Sequence, residues 1–402
     1  MVSAPLKSKL IPSLPEEPPL PLRPEVEALG VSGIQQVWEM GFQKPDVIGL
    51  WVGEGDVPTP SFISDAAIAS LRAGNTYYTH KRGIPPLREA LAQYHARLLG
   101  IAPDPERISV TSSGMAALTL IFQAVVAQGD EVILVSPIWP NAAAAVQIAG
   151  GRPVEVSLDS QADGSFELDI DKLTAAIGPR TRALFIASPG NPTGWMMEQE
   201  QQREILALAR ERGLWLIADE VYHRFTYDRP WAPSFASIAE PEDALICVHS
   251  FSKAWAMTGW RLGWLLHPPS MGETFGKLIE YSSSGAQHFL QDGAVAAIRD
   301  GEAFVTELVE RCREGGDIVF DALSDCPRVR IARPKAAFYA FFGVEGMTDS
   351  LTFAKQLVLE AGVGLAPGAA FGAGGEGFLR LCFASSPQRI AQAMERLRPA
   401  LL

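Results

Sequence analysis

Two basic residues stand in company that does not suit a solvated charge. Lys253 and Arg261 lie in Ser250-Phe251-Ser252-Lys253-Ala254-Trp255-Ala256-Met257-Thr258-Gly259-Trp260-Arg261, among aromatic and small residues. A lysine is seldom found there unless it is paired or used chemically. Desolvation and a nearby cation lower the pKa of an amine, and an amine so tuned is what a Schiff base requires. Other segments set polar residues at the ends of apolar runs. Asp219-Glu220-Val221-Tyr222 offers a carboxylate and then a phenol; alone it reads as a helix-capping Asp and a core Tyr. Ser188-Pro189-Gly190-Asn191-Pro192-Thr193-Gly194 fixes the direction of one amide, Asn191, and alone reads as a tight turn. Ser112-Ser113-Gly114-Met115, ahead of the apolar stretch 116–127, presents free N–H groups and a hydroxyl to an anion such as phosphate. Taken alone, a Ser-Gly helix cap is the simpler reading. Arg380, in Phe378-Leu379-Arg380-Leu381-Cys382-Phe383, costs free energy unless an anion meets it, with a structural ion pair as the plain alternative.

The elements that must hold these residues follow from patterning. Short β-branched or apolar runs at 108–111, 131–136, 183–188, 214–219, 245–250 and 261–266 alternate with helical stretches. Such alternation predicts an α/β fold with a mainly parallel sheet covered by helices. In an open sheet of this kind ligands gather at the carboxyl ends of the strands, where most of the polar residues above fall. After about residue 290 a helical stretch, a strand-like segment at 337–342, another helix and a strand at 378–383 predict a small α+β domain. Residues 1 to about 30 hold Pro5, Pro12, Pro15, Pro18, Pro19, Pro21 and Pro24, a density that favours an extended arm, able to lie over a partner subunit. The expected division is 1–47 for the arm and a small-domain segment, 48–290 for the large domain and 291–402 for the small one.

In order and spacing, Asn191-Pro192-Thr193-Gly194, Asp219-Glu220-Val221-Tyr222, Ser250-Phe251-Ser252-Lys253 and Gly259-Trp260-Arg261 resemble the class I aminotransferases of the aspartate aminotransferase type. The resemblance runs from Gly53-Glu54-Gly55-Asp56 through Tyr78, Gly83 and Leu87-Arg88-Glu89-Ala90 to Arg380. It implies the pyridoxal 5'-phosphate (PLP) transferase fold type I, with a seven-stranded sheet in the large domain. It implies that Lys253 carries PLP as a Schiff base and shuttles a proton between the substrate's Cα and the cofactor's C4'. Asp219 is then the partner of the pyridine nitrogen, keeping it protonated so that the ring can accept the carbanion's electrons. Tyr222 and Asn191 match the pair that bonds the cofactor's 3' oxygen, and Trp139 the aromatic on the pyridine face. Ser113, Gly114, Met115, Ser250 and Arg261 match the phosphate site. Arg380 matches the arginine that grips the substrate's α-carboxylate, helped by Gly53 and Asn191. Tyr78 matches a tyrosine that reaches across a homodimer to the partner's cofactor phosphate.

The resemblance therefore implies transfer of an amino group between an L-amino acid and a 2-oxo acid by a ping-pong route. The runner-up is a PLP-dependent β-elimination lyase, which the same fold and lysine support. Strict aspartate specificity is not expected, because the segment Tyr281-Ser282-Ser283-Ser284-Gly285-Ala286-Gln287-His288 lacks the arginine that enzymes preferring dicarboxylates often bring from a neighbouring subunit. The basic turn Thr79-His80-Lys81-Arg82 offers charge to a distal carboxylate, although a solvated loop is the commoner fate of such runs. A net charge of −12 gives no footprint for nucleic acid or an anionic membrane, and no helix-turn-helix head marks a non-catalytic sensor. Four scattered cysteines without a CxxC pair suggest neither zinc nor disulfides, and no stretch approaches the roughly 20 apolar residues of a membrane span. A cytoplasmic enzyme without a metal is the expectation.

Overall fold

The computed structural model describes residues 20–42 and 44–402. Pro5, Pro12, Pro15, Pro18 and Pro19 of the expected arm lie outside the described residues. Pro24 does not continue an extended chain. It opens a one-turn helix, Pro24–Glu27, because its fixed φ and missing N–H suit the first helical position.

Seven strands form the main sheet in the order Ile108–Thr111, Gly263–Leu266, Leu245–Ser250, Trp215–Asp219, Thr181–Ala187, Glu131–Ser136, Arg152–Ser157. Neighbours run parallel except around Gly263–Leu266, which is antiparallel to both of its partners. Most of the strands are buried on both faces, which explains their continuous apolar runs. Pleating then divides the side chains between two cores. Ile133, Val135, Leu184 and Ile186 enter one, while Val132, Leu134, Ala183 and Phe185 enter the other. Each such aliphatic side chain contributes roughly 1.5–3 kcal/mol by burial.

Four strands make a second, antiparallel sheet in the order Val329–Arg330, Tyr339–Val344, Phe378–Cys382, Ala366–Pro367. In its centre Arg380 stands opposite Phe341 on one side and Ala366 on the other. The N-terminal region reaches this part of the chain: Ile48–Gly49 pairs in parallel with Val363–Gly364, and Lys355 donates to Gln36 of the Gly33–Gly41 helix. Among the described residues no helix is long and apolar enough to cross a membrane.

Candidate active site

A cavity of about 340 Å³ opens at the carboxyl ends of the main strands and extends to the second sheet. Lys253 lies in the turns after the Leu245–Ser250 strand, and its Nζ donates to the carbonyl of Gly53 at 2.7 Å. The amine also lies 5.8 Å from the Tyr222 ring centroid and 6.0 Å from that of Phe338. Burial pulls its pKa down to about 8; Cys382 and Glu54 oppose the shift, and Arg380 and Arg261 reinforce it.

Asp219 ends the Trp215–Asp219 strand and is buried. Its carboxylate accepts one hydrogen bond, from the Val221 N–H at 3.2 Å. Burial pushes its pKa up to about 6, against that N–H and the Lys253 cation. A buried carboxylate so thinly satisfied is built to meet a cation. Three residues on, the Tyr222 hydroxyl stands 2.6 Å from that of Tyr339, and burial drives both phenols far above their usual range.

At the other end of the cavity Arg380 is 2% exposed. Its Nη1 donates to Asn191 Oδ1 at 3.1 Å and its Nη2 to the carbonyl of Trp51, while Nε has no partner. The Tyr339 and Phe371 ring centroids lie 4.8 and 5.0 Å from the guanidinium carbon. No carboxylate among the described residues forms an ion pair with it. Among the described residues, the structural ion pair that would explain this charge is not found. Gly53 leaves room in this corner, since a Cβ there would fall 2.0 Å from the Tyr339 hydroxyl.

The anion seat lies between these ends and the main sheet. Ser113, at φ 148°, caps the Gly114–Val125 helix by accepting from the Ala116 N–H at 2.9 Å. The remaining N–H groups of the first turn and the positive end of the helix dipole face the cavity. Ser250 lies directly against Gly114, where an added Cβ would meet its Cβ at 3.5 Å. A Cβ on Gly263 would fall 2.8 Å from the Gly114 nitrogen, so bare backbone lines this side. Arg261 holds a left-handed conformation (φ 51°) and donates to the Thr258 carbonyl at 2.6 Å on the cavity rim. Met115 and Trp139 complete the wall. These residues fit PLP: a helix-capped, arginine-flanked seat for the phosphate, a flat indole, a buried carboxylate for a protonated ring nitrogen, and a low-pKa lysine.

Twelve of the thirteen residues singled out from sequence meet at this cavity or in its immediate wall. Tyr78 does not. It is 92% exposed and is not among the residues that line its own chain's cavity. The basic turn is occupied within the chain: Lys81 pairs with Glu280, and Arg82 with both the carboxylate and the carbonyl of Glu106. Sequence reasoning missed Tyr339, the carbonyl of Trp51, and the contact between Thr258 and Glu54, whose carboxylate accepts the threonine hydroxyl. It also missed Ile34 of the Gly33–Gly41 helix, which lines the cavity.

Comparison with known proteins identifies the family and the fold. A family model described as aminotransferase class I and II matches residues 45–397. A probable aspartate/prephenate aminotransferase of Aquifex aeolicus is 36% identical over 89% of this chain and 91% of its own. The aspartate aminotransferase of Thermus thermophilus, solved with maleate, superposes with a TM-score of 0.88 at 33% identity, covering 95% of this chain and all of the other. The aromatic aminotransferase of Pyrococcus horikoshii gives a TM-score of 0.84 at 34% identity over 92% of this chain and 98% of that one. The chain belongs to the class I and II aminotransferases, with the fold type I architecture. It is an aminotransferase of a family that works with PLP.

Proposed function

We propose that this cavity is the active site, that it binds PLP, and that it transfers an amino group between an L-amino acid and a 2-oxo acid. The observation that carries the proposal is Arg380: a buried guanidinium without a counter-ion among the described residues, lining the same cavity as a low-pKa lysine and a buried carboxylate. When bound, PLP supplies an electron sink for the carbanion formed at the substrate's Cα.

The chain's own residues do the rest. Ser113, Gly114, Met115, Ser250 and Arg261 hold the phosphate, the helix N-terminus and the guanidinium meeting its charge. Asp219 would hold a proton on the ring nitrogen, and that ion pair would remove the cost of a buried carboxylate without a cation. Tyr222 and Asn191 would orient the cofactor ring by hydrogen bonding, and Trp139 would supply it a flat apolar wall. Arg380 clamps the α-carboxylate, with Asn191 and the Trp51 carbonyl fixing the plane of its guanidinium, and this sets the Cα–H bond near Lys253. Lys253 Nζ would hold the cofactor, and its amine would be the base for the Cα proton, for which a pKa near neutrality is suited. Gly53 lets the chain pass against the Tyr339 hydroxyl and offers its corner of the cavity to the substrate carboxylate held by Arg380.

Each site is shared in a homodimer, Tyr78 serving the partner's phosphate; its exposure and its absence from its own cavity support this. The four cysteines are buried and free, which supports a cytoplasmic location. Replacing Arg380 tests the carrying observation. Arg380→Leu is expected to raise KM for every amino donor by about a hundredfold, the effect of losing a charged, buried contact, while the cofactor spectrum is retained. An unchanged KM would remove Arg380 from the site.

A further inference from the structure

We propose that Asp56 is a positioning residue, working with Arg311 to hold the segment that joins the lysine end of the site to the arginine end. This rests on the assignment of Lys253 to the cofactor and Arg380 to the substrate carboxylate. Residues 50–59 touch both ends. On the lysine side, the Gly53 carbonyl accepts from Lys253 Nζ at 2.7 Å and the Glu54 carboxylate accepts from Thr258. Thr59 donates to the Ala256 carbonyl at 2.6 Å and accepts from Trp260 Nε1 at 2.9 Å. On the arginine side, the Trp51 carbonyl accepts from Arg380, and the Leu50 carbonyl accepts from the Cys382 N–H at 2.9 Å.

The segment has no regular secondary structure between its two ends, so side chains must fix it. Asp56 supplies that anchor. Its Oδ1 accepts from Arg311 Nη2 at 2.6 Å, and its Oδ2 accepts from Ser385 Oγ at 3.0 Å and the Ser386 N–H at 2.8 Å. Arg311 belongs to the Glu302–Leu323 helix, and Ser386 caps the Pro387–Leu397 helix. One carboxylate thus ties the segment to two helices, just after the residues whose carbonyls meet Arg380 and Lys253 and between the Glu54 and Thr59 contacts. Three acceptor contacts of this kind fix both the position and the rotation of the loop.

The side chains of Asp56 and Arg311 are 36% and 25% exposed. Pairs so exposed contribute little to global stability, so losing this one releases the segment without unfolding the protein. The carbonyls of Trp51 and Gly53 then lose their fixed places, and Arg380 loses the partner that orients it. Small misplacements of a binding group have large effects on reactions that depend on alignment.

The test uses the PLP-loaded enzyme and four variants: Asp56→Ala, Arg311→Met, the double variant, and Arg311→Lys. Dissociation constants for maleate and 3-phenylpropionate are read from the change in cofactor absorbance, KM and kcat from the fastest amino donor, PLP affinity by equilibrium dialysis, and stability by thermal unfolding. Asp56→Ala and Arg311→Met should each weaken carboxylate binding and raise KM by about tenfold, with PLP affinity and melting temperature near wild type. The double variant should be no worse than either single one, and Arg311→Lys should recover part of the loss. Unchanged carboxylate binding, additive losses, or a loss that merely follows melting temperature overturns the proposal. Arg380→Leu in the same assay separates the two levels. If it too binds carboxylates like wild type, the site assignment fails and the role of Asp56 fails with it.

Discussion

The hydroxyl oxygens of Tyr222 and Tyr339 stand 2.6 Å apart, and the Tyr339 ring also lies under Arg380, 4.8 Å from centroid to guanidinium carbon. One side chain therefore supports a cofactor-side group through its hydroxyl and a substrate-side group through its ring. Tyr339→Phe removes only the first. We expect kcat to fall about fivefold, the scale of one neutral hydrogen bond, with KM nearly constant; Tyr339→Leu should raise KM as well. Steady-state kinetics on both variants checks this, and a rise in KM for Tyr339→Phe alone would place the hydroxyl on the substrate.

Asp219 gives a pH signature in the protein freed of cofactor. Burial raises its folded pKa to about 6, above the ordinary carboxylate value of 3.8, so the folded state holds the proton more tightly than the unfolded state. The ionised carboxylate is then a cost, absent below about pH 4 and fully present above about pH 6. Asp219→Asn should therefore raise the thermal stability of the cofactor-free protein at pH 8, with the gain fading as pH falls towards 4, while abolishing transamination. A gain independent of pH would show that burial of this group is not what shifts it.

Sharing of sites predicts complementation. Lys253→Ala and Tyr78→Ala homodimers should each be impaired at both sites. A mixed dimer places both lesions in one site and leaves the other with an intact Lys253 from one chain and an intact Tyr78 from the other. Purified mixed dimers should recover about half the wild-type rate per dimer if the sites act independently. No recovery would mean that Tyr78 does not serve the partner's site.

What sequence revealed and what it hid follow from where the physical signal resides. The inner strands were legible because burial on both faces demands continuous apolar residues. The edge strand Arg152–Ser157 was not read as a strand: it carries Pro153 and several solvent-facing residues, as an edge permits. The count of seven came instead from family resemblance. Arg380 was legible as one charge in an apolar strand, and Lys253 for a similar reason. Tyr339 was hidden because a tyrosine in the apolar run 337–342 reads as core, and only the fold brings its hydroxyl to Tyr222, 117 residues away. Trp51 contributes a carbonyl, which leaves no trace in the identity of the residue. Glu54 meets Thr258 across 204 residues, beyond any local pattern.

The central claim is that Lys253 is the residue attached to the cofactor. Borohydride reduction of the PLP-loaded protein, followed by digestion and mass mapping, tests it without reference to substrate. The reduced pyridoxyl group should be found on Lys253 in near-stoichiometric yield, because among the described residues that amine alone combines a place in the cavity with a pKa near 8. Recovery of the label on another lysine, with Lys253 unmodified, would contradict the assignment of the whole site.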